Sequence, residues 1–221
     1  MEKKTFGELV SIAKKHQVKN DISHGFNHVQ RVLANAMLIA NEEGGDMDVV
    51  IPAALFHDIV MYHKDDPRSP REHKESAMLA SEILAQMNFP KEKIGRVSYA
   101  IESCSFTRGI NPVTLEAKIL QDADMLESTG AISLMRAFAS AGMLSRNLYD
   151  SNDTFCRSRK PEPLVYGLDL LYLRLLKIKG RLHTKTAKRI GLRRHKFLLK
   201  FISELKEEFR GYLGFTAFSM R

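Results

Sequence analysis

Nowhere does this sequence run to the ~20 consecutive apolar residues that a bilayer span requires. Its opening, Met1 to Val10, carries charges where a secretion signal needs an apolar core. Both absences point to a soluble protein of the cytoplasm. Cysteine is scarce: Cys104 and Cys156 are the only two and form neither a close pair nor a metal-binding spacing. A disulfide framework and a thiolate metal site are therefore not expected, and both thiols are read as reduced. Sustained strand-type alternation is missing, as are internal repeats, low-complexity tracts and a flexible linker between domains. What remains is a chain of 221 residues, 44% of them apolar, enough to bury one substantial core. The expectation is one domain over residues 1–221.

Apolar residues recur at helical spacing almost throughout, as in Val29, Val32, Leu33, Ala36 and Ile39, or Leu198, Phe201, Ile202 and Leu205. The pattern predicts an all-α protein with helices near 5–16, 27–43, 48–62, 73–87, 91–104, 114–127, 129–143, 163–178 and 184–212. Asn27 and Asp48 are suited to cap the second and third helices, and Gly44-Gly45 to end the second. Pro52 then removes only an early hydrogen bond. Residues 63–71 and 145–163, rich in Asp, Asn, Ser and Pro, read as loops.

The formal charge of +8 favours anionic partners. It is uneven: from Lys177 to Lys200 there are ten Lys or Arg residues and no acid, inside a basic helical region at about 163–212. Either a solvated helix face or a contribution to anion binding accounts for that run. Aromatic interleaving, which would suggest stacking on single-stranded nucleic acid, is lacking.

The chemistry concentrates elsewhere. His57-Asp58 closes the apolar stretch Val49 to Phe56, placing an ionisable pair beside the core, where it is costly unless paired or bound to a metal. His28 lies near the start of an earlier helix, and Asp124 sits among apolar helical residues. Neutral imidazole with carboxylate suits Mn, Fe, Co, Ni, Zn or Mg, and such an ion can activate water and neutralise a phosphoryl oxygen. The same residues would also serve as caps or buried ion pairs, and their spacing leaves both readings open. His24, four residues before His28, and Arg31, one turn after it, are candidates for substrate contact, Arg31 with a carboxylate partner as the alternative. His63, Arg68, Arg71, His73 and Lys74 lie in or beside the loop that follows, where each is also at home as a surface residue.

The ordered set His28, His57-Asp58, Asp124 resembles the signature of the HD-domain metal-dependent phosphohydrolase superfamily. The likeness extends through Ser23 to Val32, Ala53 to Ile59, Glu116 to Glu127 and Thr186 to Phe197, so it covers nearly the whole chain and is similar to small bacterial members of that group. It implies a helical bundle whose core motifs fall within about 20–130, with one divalent metal ion held between central helices by His28, His57, Asp58 and Asp124. Asp122 is the competing carboxylate. The related Ala-Asp-x-Leu pattern selects Asp124, and a helix turns Asp122 about 200° away.

The implied activity is hydrolysis of a phosphoester or phosphoanhydride, with a nucleotide as the expected substrate. Asp58 would orient or deprotonate water, and Arg31, Arg71, His73 and His24 would contact substrate. Pyrophosphohydrolase and phosphatase activity are both open. In one respect the chain departs from the pattern: Cys104-Ser105-Phe106 stands where related sequences often read His-Ser-Phe. That loss of a histidine favours one metal over two, and so argues against the di-iron oxygenases that share the fold. A nonenzymatic nucleotide sensor or nucleic-acid-binding protein, using the Lys177–Lys200 region, would have no evident need of the ligand set.

Overall fold

A computed structural model describes residues 2–16, 25–62, 66–105 and 109–218, with side chains described as far as Arg210. The described residues form nine α-helices: α1 (Lys3–His16), α2 (Phe26–Glu43), α3 (Met47–Phe56), α4 (Glu72–Gln86), α5 (Lys91–Glu102), α6 (Leu115–Leu126), α7 (Gly130–Met143), α8 (Asp169–Leu173) and α9 (Lys185–Phe218). Short 3₁₀ segments at Ser69–Arg71 and Leu175–Gly180 precede α4 and α9. No strand ladder occurs among the described residues, and a lone bridge joins Asn147 to Tyr166. No described helix is long and apolar enough to cross a membrane.

α3 is the hub. Every residue from Val49 to Phe56 is buried, and α2, α5 and α6 pack around it. Fully burying each of its large side chains contributes about 1.5–3 kcal/mol, enough to offset the ladder bond that Pro52 cannot donate to the Asp48 carbonyl. Its N-terminus is capped by Asp46, whose carboxylate accepts from Asp48 N at 3.0 Å. The cap thus lies two residues earlier than the expected Asp48. At α2, Gly25 occupies the cap position without a side-chain bond, and Asn27 is already inside the helix. Gly44 ends α2 as expected, at φ 80° with its N–H on the Ala40 carbonyl, a conformation that favours glycine.

Two expected helices are shorter or divided. The one predicted over 48–62 ends at Phe56 because the backbone beyond it bonds elsewhere: Val60 N donates to Ser76 Oγ and Tyr62 N to Glu72 Oε1. The α4 side chains replace a helical ladder and free His57 and Asp58 to turn inward. The predicted 163–178 helix survives as α8 and a 3₁₀ segment. Gly167 N and Leu168 N donate to the carbonyls of Asn147 and Leu148, and Asn147 N to that of Val165. Gly167 also lies so close to α7 that an added Cβ would meet that of Ala141 at 2.9 Å.

Two apolar clusters result. The larger gathers α1 to α6 together with Ala187 and Ile190 of α9. The smaller joins Leu134 and Ala137 of α7, Leu168, Leu171 and Leu175 around α8, and Leu198 and Ile202 of α9.

Candidate metal centre

Three elements deliver the chemistry to one point. His28 occupies the first turn of α2, His57 and Asp58 follow the C-terminus of α3, and Asp124 stands near the C-terminus of α6. The His28 and His57 side chains are each 1% exposed, against 16% for Asp58 and 31% for Asp124. His57 Nδ1 lies 2.8 Å from the Ala54 carbonyl and must carry the proton there. In the neutral ring Nε2 is then the acceptor nitrogen. His28 Nδ1 faces Glu127 Oε2 at 3.4 Å, and Glu127 is in turn held by Arg31 Nε at 2.7 Å. Both imidazoles therefore aim Nε2 at the carboxylates. His28 Nε2 lies 3.6 Å from Asp58 Oδ2 and 3.4 Å from Asp124 Oδ1, and His57 Nε2 lies 3.4 Å from Asp58 Oδ2.

These separations bear on what the cluster can hold. They are long for strong hydrogen bonds between charged partners, and His57 Nε2 is buried with no hydrogen bond of good geometry. Ligand atoms bonded to one ion at about 2.1 Å lie roughly 3.0 Å apart at right angles and 3.4 Å apart at tetrahedral angles. One donor atom from each of His28, His57 and Asp58 falls within 4.8 Å of the others, and Asp124 Oδ1 adds a fourth beside His28. The residues fit a divalent cation. A histidine whose other nitrogen is held by a carboxylate or a carbonyl is the usual supported metal ligand.

The electrostatics agree. Burial alone would lower the pKa of His57, but the Asp58 and Asp124 charges and the Ala54 carbonyl outweigh it and raise the imidazole to about 9. His28 is raised against burial by Asp124 and Glu127. Burial opposes ionisation of Asp124 and of Glu127, yet the histidines hold Asp124 well below the carboxylate range, and His28 and Arg31 lower Glu127. The site is built to attract positive charge. Cys104 behaves otherwise: burial, reinforced by Asp124 and Asp58, pushes its thiol well above the ordinary value. It stays protonated beside the cluster and is a poor ligand.

The remaining sequence candidates divide. Arg31 pairs with Glu127, the carboxylate alternative. His73 is drawn close enough to feel Asp58, His57 and Asp124, its pKa lowered chiefly by burial, and its Nδ1 is buried without a hydrogen-bond partner. Arg71 is exposed at the end of a 3₁₀ segment, and among the described residues no hydrogen bond or ion pair joins it to the cluster. Arg68 is engaged by Asp66 and stacks on Tyr62, while Lys74 is exposed. His24 and His63 lie outside the described residues. Asp122 is turned away as the helix geometry demands and accepts from His183 N, Thr184 N and Thr184 Oγ1 at 2.7–2.8 Å. Glu127 was missed, although its place three residues after Asp124, on the same helical face, was a usable signal. A separate concavity of about 510 Å³, lined by Lys118, His183 and Lys188 among others, includes none of the cluster residues.

The family model for the HD domain matches residues 25–129, the stretch that contributes the whole cluster. YpgQ of Bacillus subtilis (strain 168) is 31% identical over 192 residues, 85% of each chain. Its crystal structure in complex with ADP matches with a TM-score of 0.72 at 25% identity, over 93% of this chain and 95% of that one. The Lin1889 protein of Listeria innocua matches at 0.72 and 28% identity, over 95% of this chain and 98% of that one. An HD-superfamily hydrolase of Bacillus thuringiensis matches at 0.74 and 25% identity, over 95% of this chain and 99% of that one. With a His, His-Asp and Asp cluster between its central helices, this chain belongs to the HD-domain family.

Proposed function

We propose that the protein is a metal-dependent phosphohydrolase acting on a phosphoester or phosphoanhydride of a nucleotide. The carrying observation is the clustering of donor atoms from His28, His57 and Asp58, with Asp124 Oδ1 3.4 Å from His28 Nε2. The similarity to a protein crystallised with ADP supports a nucleotide, and that to an HD-superfamily hydrolase supports hydrolysis.

His28, His57, Asp58 and Asp124 would hold one divalent ion, of Mn, Fe, Co, Ni, Zn or Mg. When bound, it supplies Lewis acidity to water and to a phosphoryl oxygen. The chain's own residues do the rest. Ala54 and Glu127 keep the imidazoles in the ligating tautomer, and Arg31 fixes Glu127. Asp58, partly open to solvent, orients the attacking water and accepts its proton. The water oxygen forms a bond to phosphorus as the bond from phosphorus to the leaving oxygen breaks, and that oxygen leaves with a proton. His73 stands close enough to meet substrate, and Cys104, held as a thiol, limits the centre to one ion.

The test is metal analysis of purified protein with a phosphate-release screen over nucleotides and simple phosphoesters, run beside Asp58→Ala and Asp124→Ala. Substoichiometric metal and lost turnover are expected in both variants. Full metal content or undiminished turnover in either would refute the ligand assignment, and oxygen consumption with two irons bound would replace hydrolysis by oxygenation.

A further inference from the structure

The concavity of about 510 Å³ lies on the face of α6 that is turned from the metal centre. Lys118, Gln121 and Asp122 stand at i, i+3 and i+4 and share that face, whereas Asp124, two residues beyond Asp122, is rotated about 200° from it. One wall is residues 111–113, which lead into α6. The other is residues 182–183, which lead into α9, joined by Lys188 from the first turn of α9.

Both walls are anchored. Gln121 Nε2 donates to the Ser103 and Ile110 carbonyls at 2.9 and 3.2 Å, and Val113 N donates to the Tyr99 hydroxyl at 3.2 Å. Opposite, His183 N and Thr184 N donate to Asp122, and Leu182 packs so tightly on α9 that a Cβ added at Gly191 would overlap it. Because Gln121 donates through its nitrogen, its Oε1 accepts, and His183 Nε2 carries the proton in the 2.6 Å bond between them. His183 Nδ1 is left uncommitted.

The charge of the hollow is one-sided. Lys118 and Lys188 line it and no carboxylate does, and neither ammonium group has an ion pair or hydrogen bond among the described residues. Asp122, on the same helix face, is buried and tied to the chain entering α9. Two uncompensated cations at one hollow repel each other, and a dianion relieves both. A phosphomonoester carries about −1.5 to −2 charges at pH 7, and lysine binds phosphate as a point charge. A single carboxylate would offset only one cation. The rest of the lining suits an organic body: Pro112, Leu182 and Val113, the last 71% exposed, are apolar, while the Asn111 amide and His183 Nδ1 can hydrogen-bond. The volume falls in the range of about 300–1,000 Å³ usual for small-molecule sites.

We propose that this concavity is a second ligand site, separate from the metal centre, for a small phosphomonoester with an apolar or flat organic group. Lys118 and Lys188 hold the phosphate, and Pro112, Val113 and Leu182 cover the organic group. The site uses none of the metal ligands, so the reading of the metal centre stands or falls independently of it.

AMP serves as the probe, with adenosine and inorganic phosphate beside it. Calorimetry on full-length Asp124→Ala, which removes the metal centre as a competing site, should show AMP binding, with adenosine and phosphate each at least about tenfold weaker. Adding Lys118→Gln or Lys188→Gln should weaken AMP about tenfold, thermal midpoints serving as the check on folding. In the metal-loaded wild type, AMP should shield Lys118 and Lys188 from acetylation by acetic anhydride, read by mass spectrometry. Lys200, exposed farther along α9, should stay unprotected. Failure of Asp124→Ala to bind AMP, adenosine binding as tightly as AMP, undiminished affinity in both lysine variants, or equal acetylation of Lys118 and Lys188 with and without AMP would each overturn the site.

Discussion

His57 can offer a cation one nitrogen only, because the other is spent on the Ala54 carbonyl. The consequence is a competition between proton and metal at Nε2. A histidine raised from 6.5 to about 9 contributes proton-linked stability that is fully present below the unfolded value and is lost as pH rises through about 9. Metal needs the neutral ring, so its affinity runs the other way. Chelator competition should show binding strengthening across about pH 6.5–9, by up to roughly tenfold per pH unit for each proton displaced. Asp124, held low, stays ionised throughout and adds no slope. A flat profile over that window would contradict displacement of the His57 proton. Glu127 acts on the same equilibrium through His28 Nδ1, and Glu127→Ala should weaken metal binding about 10- to 100-fold, read by the same chelator titration. At this scale the clustering of His28, His57 and Asp58 was legible because a buried His-Asp pair demands an explanation. Glu127 was not, because its role exists only once α2 brings His28 against it across 99 positions of sequence.

Helices were legible wherever their apolar face met the core, and poorly so where side chains of other elements captured the backbone. Ser76 and Glu72 cut the α3 pattern short at Phe56, and no local periodicity encodes that. Likewise the backbone of 147–148 interrupts the apolar run of 163–178. α6 shows what an element achieves by presenting two faces: Asp124 looks to the metal centre, and Asp122 ties α6 to the chain entering α9. Because Asp122 is fully buried and accepts three hydrogen bonds, Asp122→Ala should cost about 2–4 kcal/mol of stability. Metal stoichiometry should stay at the wild-type value. Urea denaturation with metal analysis of the same preparations separates the two carboxylates: Asp124→Ala should lose the metal. A variant at Asp122 that is as stable as wild type would mean that the tie between α6 and α9 is dispensable.

Across the whole molecule, the basic run of the sequence proves to be divided among several duties. Arg189 pairs with Glu42, Arg194 closes the end of α6, and Lys188 borders the separate concavity, so Lys177–Lys200 is not one uniform face for nucleic acid. α9 also runs from the larger apolar cluster, through Ala187 and Ile190, into the smaller, through Leu198 and Ile202. Neither cluster can release that helix without exposing the other, and on that ground we propose that residues 1–221 act as one domain. One cooperative urea transition should follow, coincident by circular dichroism and by tyrosine fluorescence. The candidate metal centre draws on α2, the end of α3 and α6, so a bound ion would link all three elements. At a free concentration 100 times its Kd, a divalent ion should add about 2.7 kcal/mol of stability and shift the whole transition rather than a part of it. Asp58→Ala should abolish that shift. Two resolved transitions, with only the first responding to metal, would instead assign the clusters to separate folding units.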